Sequence, residues 1–258
     1  LSIRKPAVAG SFYADDAIEL VSSVKQYIGE FVDAGVYAKA LIVPHAGYCY
    51  SGAVAGAAYR LLANSANDIN RVVLLGPCHR IALYGMALAS YEFFSTPLGD
   101  VKVDEDASEM LLEKGVVQLS DEAHQFEHSL EVQLPFLQAS LQQFSILPIV
   151  VGVCEPEAVV KVIKALDTKG TLFVVSTDMS HYHSYFEAQA IDNFNIVRML
   201  NFATDLVSED ACGSYALNGF FEYCAAQQWK IRMVKAENSG DTGSDKSRVV
   251  GYASFIVY

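Results

Sequence analysis

The sequence is short of positive charge. Lysine and arginine total 18 against 30 aspartate and glutamate, a formal net charge of −12, and no cluster of basic residues is longer than two. A nucleic-acid or anionic-membrane surface needs a basic patch, so neither partner is expected. No apolar run approaches the roughly 20 residues that span a bilayer. The opening Leu1-Ser-Ile-Arg-Lys-Pro6 is not followed by the apolar stretch of a secretory signal. Cysteine is sparse and odd in number: Cys49, Cys78, Cys154, Cys212 and Cys224, with no CxxC pair. That argues against a disulfide framework and for reduced thiols, so a soluble, cytoplasmic protein is expected. Walker, GxGxxG, GxSxG and HExxH patterns are absent, which removes the commonest nucleotide, dinucleotide, serine-hydrolase and metalloprotease readings.

What is present suits a large core. The 258 residues are 52% hydrophobic and 19% charged, which excludes disorder. With no repeat, low-complexity segment or linker, the expectation is one domain over residues 1–258. Buried strands are expected at 39–44, 71–76, 145–153 and 171–176, with a shorter one at 86–90 and closing strands at 231–236 and 249–257. Helices are expected from Asp15 or Asp16 to about Val32, then over 51–62, 104–114, 155–166, 188–200 and 208–228. A further helix follows Glu127 and is kinked or divided at Pro135. Residues 93–103 read as an irregular excursion from the main sheet, 121–126 as an acidic loop, and 237–247 as a polar loop. Alternating strands and helices make an α/β sandwich, its central sheet mostly parallel or mixed and flanked by helices.

Three buried strands end in the same way. Val43 leads into Pro44-His45-Ala-Gly47, Leu75 into Gly-Pro-Cys-His79, and Val175 into Ser-Thr-Asp178-Met-Ser-His181. Parallel strands joined by helices place their carboxyl ends on one edge, where open α/β sheets bind ligands. His45, His79, Asp178 and His181 are therefore expected to converge, and His128 joins them at the start of a helix. Imidazole suits zinc, iron and copper, and a thiolate or carboxylate commonly completes the set. For His45 and His79, ligation outweighs a turn-capping role. For Asp178 and His181, a catalytic pair and a turn-and-cap pair weigh equally. For Glu127 and His128, a helix-capping role competes. His124 and His183 read as solvated. Cys78 reads as a small packed residue, and Cys212, by spacing alone, as a buried thiol near a helix start.

Ala9-Gly-Ser-Phe-Tyr13, Pro44-His-Ala-Gly-Tyr48, Leu75-Gly-Pro-Cys-His79, Glu127-His-Ser-Leu-Glu131, Ser176-Thr-Asp-Met-Ser-His181 and Ala211-Cys-Gly213 together resemble the Memo family. Its bacterial and archaeal members are called AmmeMemoRadiSam system protein B. The resemblance runs in order from about residue 4 to the C-terminus. It implies a fold similar to class III extradiol dioxygenases, which hold non-haem iron with two histidines and a glutamate. Carried over, it makes His45, His79 and Cys212 the ligands of one divalent transition metal. His181 becomes an acid/base group, with Asp178 and His128 beside it. A thiolate favours iron or copper and redox activity, with zinc also admissible. The resemblance also leaves two other functions open. One is a non-catalytic module binding a small molecule or peptide in the same cleft, because eukaryotic members are linked to phosphotyrosine-peptide recognition. The other is a zinc-dependent hydrolase.

Overall fold

The computed structural model describes residues 1–258. Four parallel strands form the middle of a nine-stranded sheet. In spatial order they are Ala40–Val43, Thr171–Ser176, Arg71–Pro77 and Ser145–Val151. The register pairs Val43 with Ser176 and Leu75 with Val175, so the carboxyl ends of the first three lie level. On one side the closing strand Val249–Val257 runs antiparallel to Ala40–Val43 and also pairs with Ile231–Asn238. On the other, Met86–Leu88 runs antiparallel to Ser145–Val151. The expected mixed, mostly parallel sheet is present.

Alternation along these strands divides the core. Leu41, Val43, Val72, Leu74, Leu172 and Val174 face one way and pack with Leu20, Val24, Ala55, Tyr59 and Phe136. Ala40, Ile42, Val73, Leu75, Phe173 and Val175 face the other way and pack with Leu111, Val159, Ile163, Leu217 and Phe220. The two cores hold 35 and 32 buried residues, so both faces are covered almost equally, as a parallel sheet requires. No helix is long and apolar enough to cross a membrane.

Residues 93–103 do leave the main sheet. Phe93–Thr96 and Gly99–Lys102 form a hairpin, and Ile3–Arg4 joins it as a third strand. Several boundaries differ from expectation. Asp16 caps the first helix, which ends at Ile28 with Gly29 in a left-handed conformation. The helix expected at 51 begins at Tyr48, and the one expected at 208 begins at Ser214. The acidic stretch 121–126 is largely a short helix, Asp121–Gln125, capped by Ser120. Pro135 sits in the first turn of Leu134–Ser140, where its missing N–H costs nothing. The polar stretch after 237 contains a helical turn, Ser239–Thr242, closed by a reciprocal cap between Asn238 and Asp241.

Candidate metal centre

His45 leaves its strand two residues after Val43, and the strand beside it fixes its direction. The Thr177 N–H donates to the Val43 carbonyl at 2.9 Å. The His45 N–H donates to Asp178 Oδ1 at 2.8 Å. His45 Nδ1 lies 2.9 Å from Ser176 Oγ. That hydroxyl donates its one proton to the Ser129 carbonyl at 2.6 Å, and Gln133 Nε2 donates to it at 3.0 Å. Gln133 in turn donates to the Pro44 carbonyl and accepts from the Tyr59 hydroxyl. With its proton committed, Ser176 Oγ faces His45 as an acceptor. His45 therefore carries its proton on Nδ1 and presents a lone pair on Nε2.

His79 is held from behind by Glu127. The Glu127 carboxylate accepts the His79 N–H at 2.5 Å and lies 3.0 Å from His79 Nδ1. It also accepts the N–H groups of His128 and Ser129. Burial pushes Glu127 up, but the His79 ring, the His79 N–H and the Ser129 amide outweigh it and hold the carboxyl at about 2. An ionised Glu127 keeps the His79 proton on Nδ1 and frees Nε2, as carboxylate partners of metal-binding histidines do. The capping role weighed for Glu127 is thus partly realised, at its own loop, while its main partner is His79.

His45, His79 and His128 come together as a group. One ligand atom from each lies within 4.8 Å of the others. The rings of His79 and His128 stack at 4.9 Å between centroids, and His45 meets both edge-on. His128 Nδ1 is buried and makes no hydrogen bond, although the Glu127 carboxylate stands 3.5 Å from it. Burial lowers the His45 pKa well below its ordinary value, and its neighbours His79 and His128 lower it further. Burial likewise lowers His128 to about 4. Both directions favour the neutral form of His45 and His128, the form that metal binding requires.

Cys212 lies against this group but outside the mutual set. Its Sγ is 3.3 Å from His45 Nε2. A sulfur and an imidazole nitrogen sharing one tetrahedral ion stand about 3.5 Å apart, given ordinary metal–ligand lengths. The residue sits in the turn before the helix Ser214–Ala226, pinned to the end of the Asp178 strand. The Cys212 N–H donates to the Asp178 carbonyl, and the Gly213 N–H to Thr177 Oγ1. The Asp178 N–H points at Cys212 Sγ at 3.2 Å. A Cβ on Gly213 would meet Thr177 Cβ at 2.8 Å, so only glycine lets the turn approach this closely. Without an ion, burial and the nearby Asp178 push the thiol up to about 12.

Asp178 and His181 also arrive. Burial raises Asp178 to about 7, against the His45 N–H that stabilises its charge. His181 lines the same cleft as His79 and Cys212, and burial lowers its pKa. His183 pairs loosely with exposed Glu187 and faces the cleft rim. His124 is not solvated. It is 1% exposed, and its Nε2 lies 2.9 Å from the Ala87 carbonyl. Ser176, Gln133 and the holding role of Glu127 are what strand-end reasoning does not reach. Glu127-His128-Ser129 was visible as a motif, but its partner His79 lies 48 residues away.

A sequence profile described as "Memo-like protein" matches residues 4–256. The chain belongs to the Memo family. A MEMO1 family protein of Aquifex aeolicus is 36% identical over 269 aligned positions, covering 99% of both chains. One from Archaeoglobus fulgidus is 34% identical, covering 98% of this chain and 99% of its own. A solved structure of an uncharacterised Escherichia coli K12 protein shares the fold, with a TM-score of 0.55 at 13% identity, covering 84% of this chain and 98% of the other. The Memo family residues quoted above thus frame a cleft whose donor set suits a metal ion. Imidazole nitrogens converge on it, Ser176 and Glu127 stand behind the His45 and His79 rings, and His128 Nδ1 makes no hydrogen bond.

Proposed function

We propose that this protein binds one transition-metal ion at His45, His79 and Cys212 and uses it in redox chemistry on a small molecule. The observation that supports it most is the three-imidazole group with Cys212 Sγ at 3.3 Å from His45 Nε2. A thiolate among imidazoles favours iron or copper over the harder ions. When bound, the ion would supply electron transfer and polarise an oxygen ligand. His128 stacks on His79 and guards the same space, as a further ligand or as a proton acceptor. His181 is neutral at the cleft wall and can take a proton from a bound molecule. Asp178, near its midpoint at neutral pH, orients the His45 loop through the His45 N–H and can hold a proton beside Cys212.

A zinc-dependent hydrolase is the second reading. It draws on the His45, His79 and His128 set, because three histidines with an open position are a known catalytic zinc arrangement. Anaerobic purification, elemental analysis and comparison with His45→Ala test the site. The expected result is near-stoichiometric iron or copper in the natural chain and little in the variant. Equal metal in both would remove the assignment, and turnover with zinc alone would favour the hydrolase.

A further inference from the structure

One wall of the cleft at the metal centre is a strained turn. His181, Tyr182 and His183 bound a cavity of about 460 Å³ together with His79 and Cys212. Tyr182 has a φ of 65°, in the left-handed region that bulky residues avoid. The ladder to the closing strand pairs His181 with Val250 and His183 with Val249, and its register shifts between them. Such a conformation costs free energy and persists only where its surroundings dictate it.

The residues just before the turn are clamped from two sides. The Ser180 carbonyl accepts the Gly251 N–H at 2.9 Å, and the Met179 N–H donates to the Gly251 carbonyl at 2.8 Å. From the other side the Ser180 N–H donates to Asp192 Oδ1 at 3.0 Å. Asp192 belongs to the helix Tyr185–Leu200 and is 8% exposed. Its seat is cut into the closing strand, because a Cβ on Gly251 would overlap Asp192 Oδ2. Burial pushes the Asp192 carboxyl up, and the Ser180 N–H pulls it back. No lysine or arginine pairs with it. A carboxylate buried without a cation is unfavourable by itself, so what it holds in place accounts for it better than charge balance does.

We propose that Asp192 is a positioning residue, which locks the His181 turn into the cleft wall through the Ser180 N–H. Asp178 stands two residues before Ser180 and accepts the His45 N–H, so the same lock reaches the His45 loop. The consequence for metal binding rests on the function proposed above. The effect on His181 does not.

Proton–carbon NMR of the histidine rings in the full, metal-free chain tests it, with His181 assigned through His181→Gln. The His181 ring lies 5.8 Å from the Tyr182 ring, tilted by 67°, so its resonance reports the shape of the turn. Asp192→Ala should move and broaden that resonance and leave His124, buried against the Ala87 carbonyl, where it was. Asp192→Asn keeps an oxygen for the Ser180 N–H and should restore the natural position. Gly251→Ala crowds the carboxylate off its seat and should reproduce the shift, and adding it to Asp192→Ala should change little further. In a chelator competition, Asp192→Ala should also bind metal about ten-fold more weakly. A lower urea midpoint with the His181 resonance in place would overturn the proposal, leaving Asp192 a packing residue. So would Asp192→Asn behaving like Asp192→Ala. A displaced His181 with unchanged metal affinity would overturn the reach to the His45 loop. A natural chain that takes up no metal would defeat the metal assignment and leave the His181 result standing.

Discussion

Ser176 has one proton and gives it to the Ser129 carbonyl, which is why it can only accept from His45. Removing it frees the imidazole to change tautomer. Ser176→Ala should therefore lower metal affinity by ~10–100-fold, the usual loss when a ligand's outer partner is removed. A competition titration against a chelator would read it, and unchanged affinity would show that Ser176 only packs. The third ligand can be decided by counting protons. Cys212 is a thiol up to about 12 without metal, whereas His128, lowered to about 4, is already neutral. Above the Asp178 midpoint, ligation by Cys212 should release one proton, so affinity should rise about ten-fold per pH unit. Cys212→Ser should flatten that slope. A flat slope in the natural chain would point to the three histidines alone. His124 supplies a separate prediction about stability. Burial lowers its pKa to about 4 from an ordinary 6.5, so the unfolded chain binds its proton more readily. Its contribution is complete above 6.5 and is lost as pH falls from there toward 4. Near pH 5 the loss attributable to this ring should be ~2 kcal/mol in urea unfolding, and His124→Gln should remove it. Sequence alone placed His124 in solvent because a polar residue in an acidic stretch carries no mark of what folds over it. Cys212 was equally opaque by spacing, and only the resemblance to a family singled it out.

At the scale of elements, the N-terminal segment acts as a strap over the centre's outer wall. Arg4 Nη1 meets Glu131 Oε2 at 2.6 Å, with the pair at 2% and 0% side-chain exposure. The same guanidinium donates to the carbonyls of His124 and Glu127. Glu131 also accepts the N–H groups of Ala7 and Val8 and the Tyr13 hydroxyl. Residues 4–13 are thereby tied to 124–131, the stretch that carries Glu127 and His128. Arg4→Met strands a buried carboxylate and should cost ~3–5 kcal/mol. A fall in thermal stability accompanied by weaker metal binding is expected. Stability loss with metal affinity untouched would deny the strap any role in positioning. The sequence marked Ala9–Tyr13 as a family motif but gave no sign of what it ties down, because Glu131 lies more than a hundred residues away. Strands were easier, since Ala40–Val43, Val72–Leu75 and Leu172–Val175 are continuous apolar runs ended by proline, glycine or serine. The helix starts that were misplaced, at Tyr48 and Ser214, follow Gly47 and Gly213, and neither cap makes a side-chain hydrogen bond. A start without a capping side chain leaves no signature to read.

Over the whole molecule, convergence follows from topology. The Asp178 strand lies between the His45 and His79 strands, all parallel, so three chain segments far apart in sequence end side by side. Strand-end reasoning could foresee that edge because parallel strands leave no other place for these groups. It could not foresee sheet order, and sheet order sets Ser176 beside His45 and brings Cys212 in over Thr177. A ligand that binds only the assembled edge must stabilise the entire fold, since the edge exists only when all three strands are paired. By mass action, metal at about 100 times its dissociation constant adds ~2.7 kcal/mol. For a chain of this length that is a rise in melting temperature of roughly 5–10 °C. Anaerobic iron(II) or copper(I) should produce it in the natural chain, and His45→Ala should melt at the same temperature with and without metal. Zinc producing the same rise while iron and copper do not would shift the preferred chemistry to hydrolysis. A rise that persists in His45→Ala would mean that the ion binds elsewhere and that the strand-end edge is not where metal and fold are coupled.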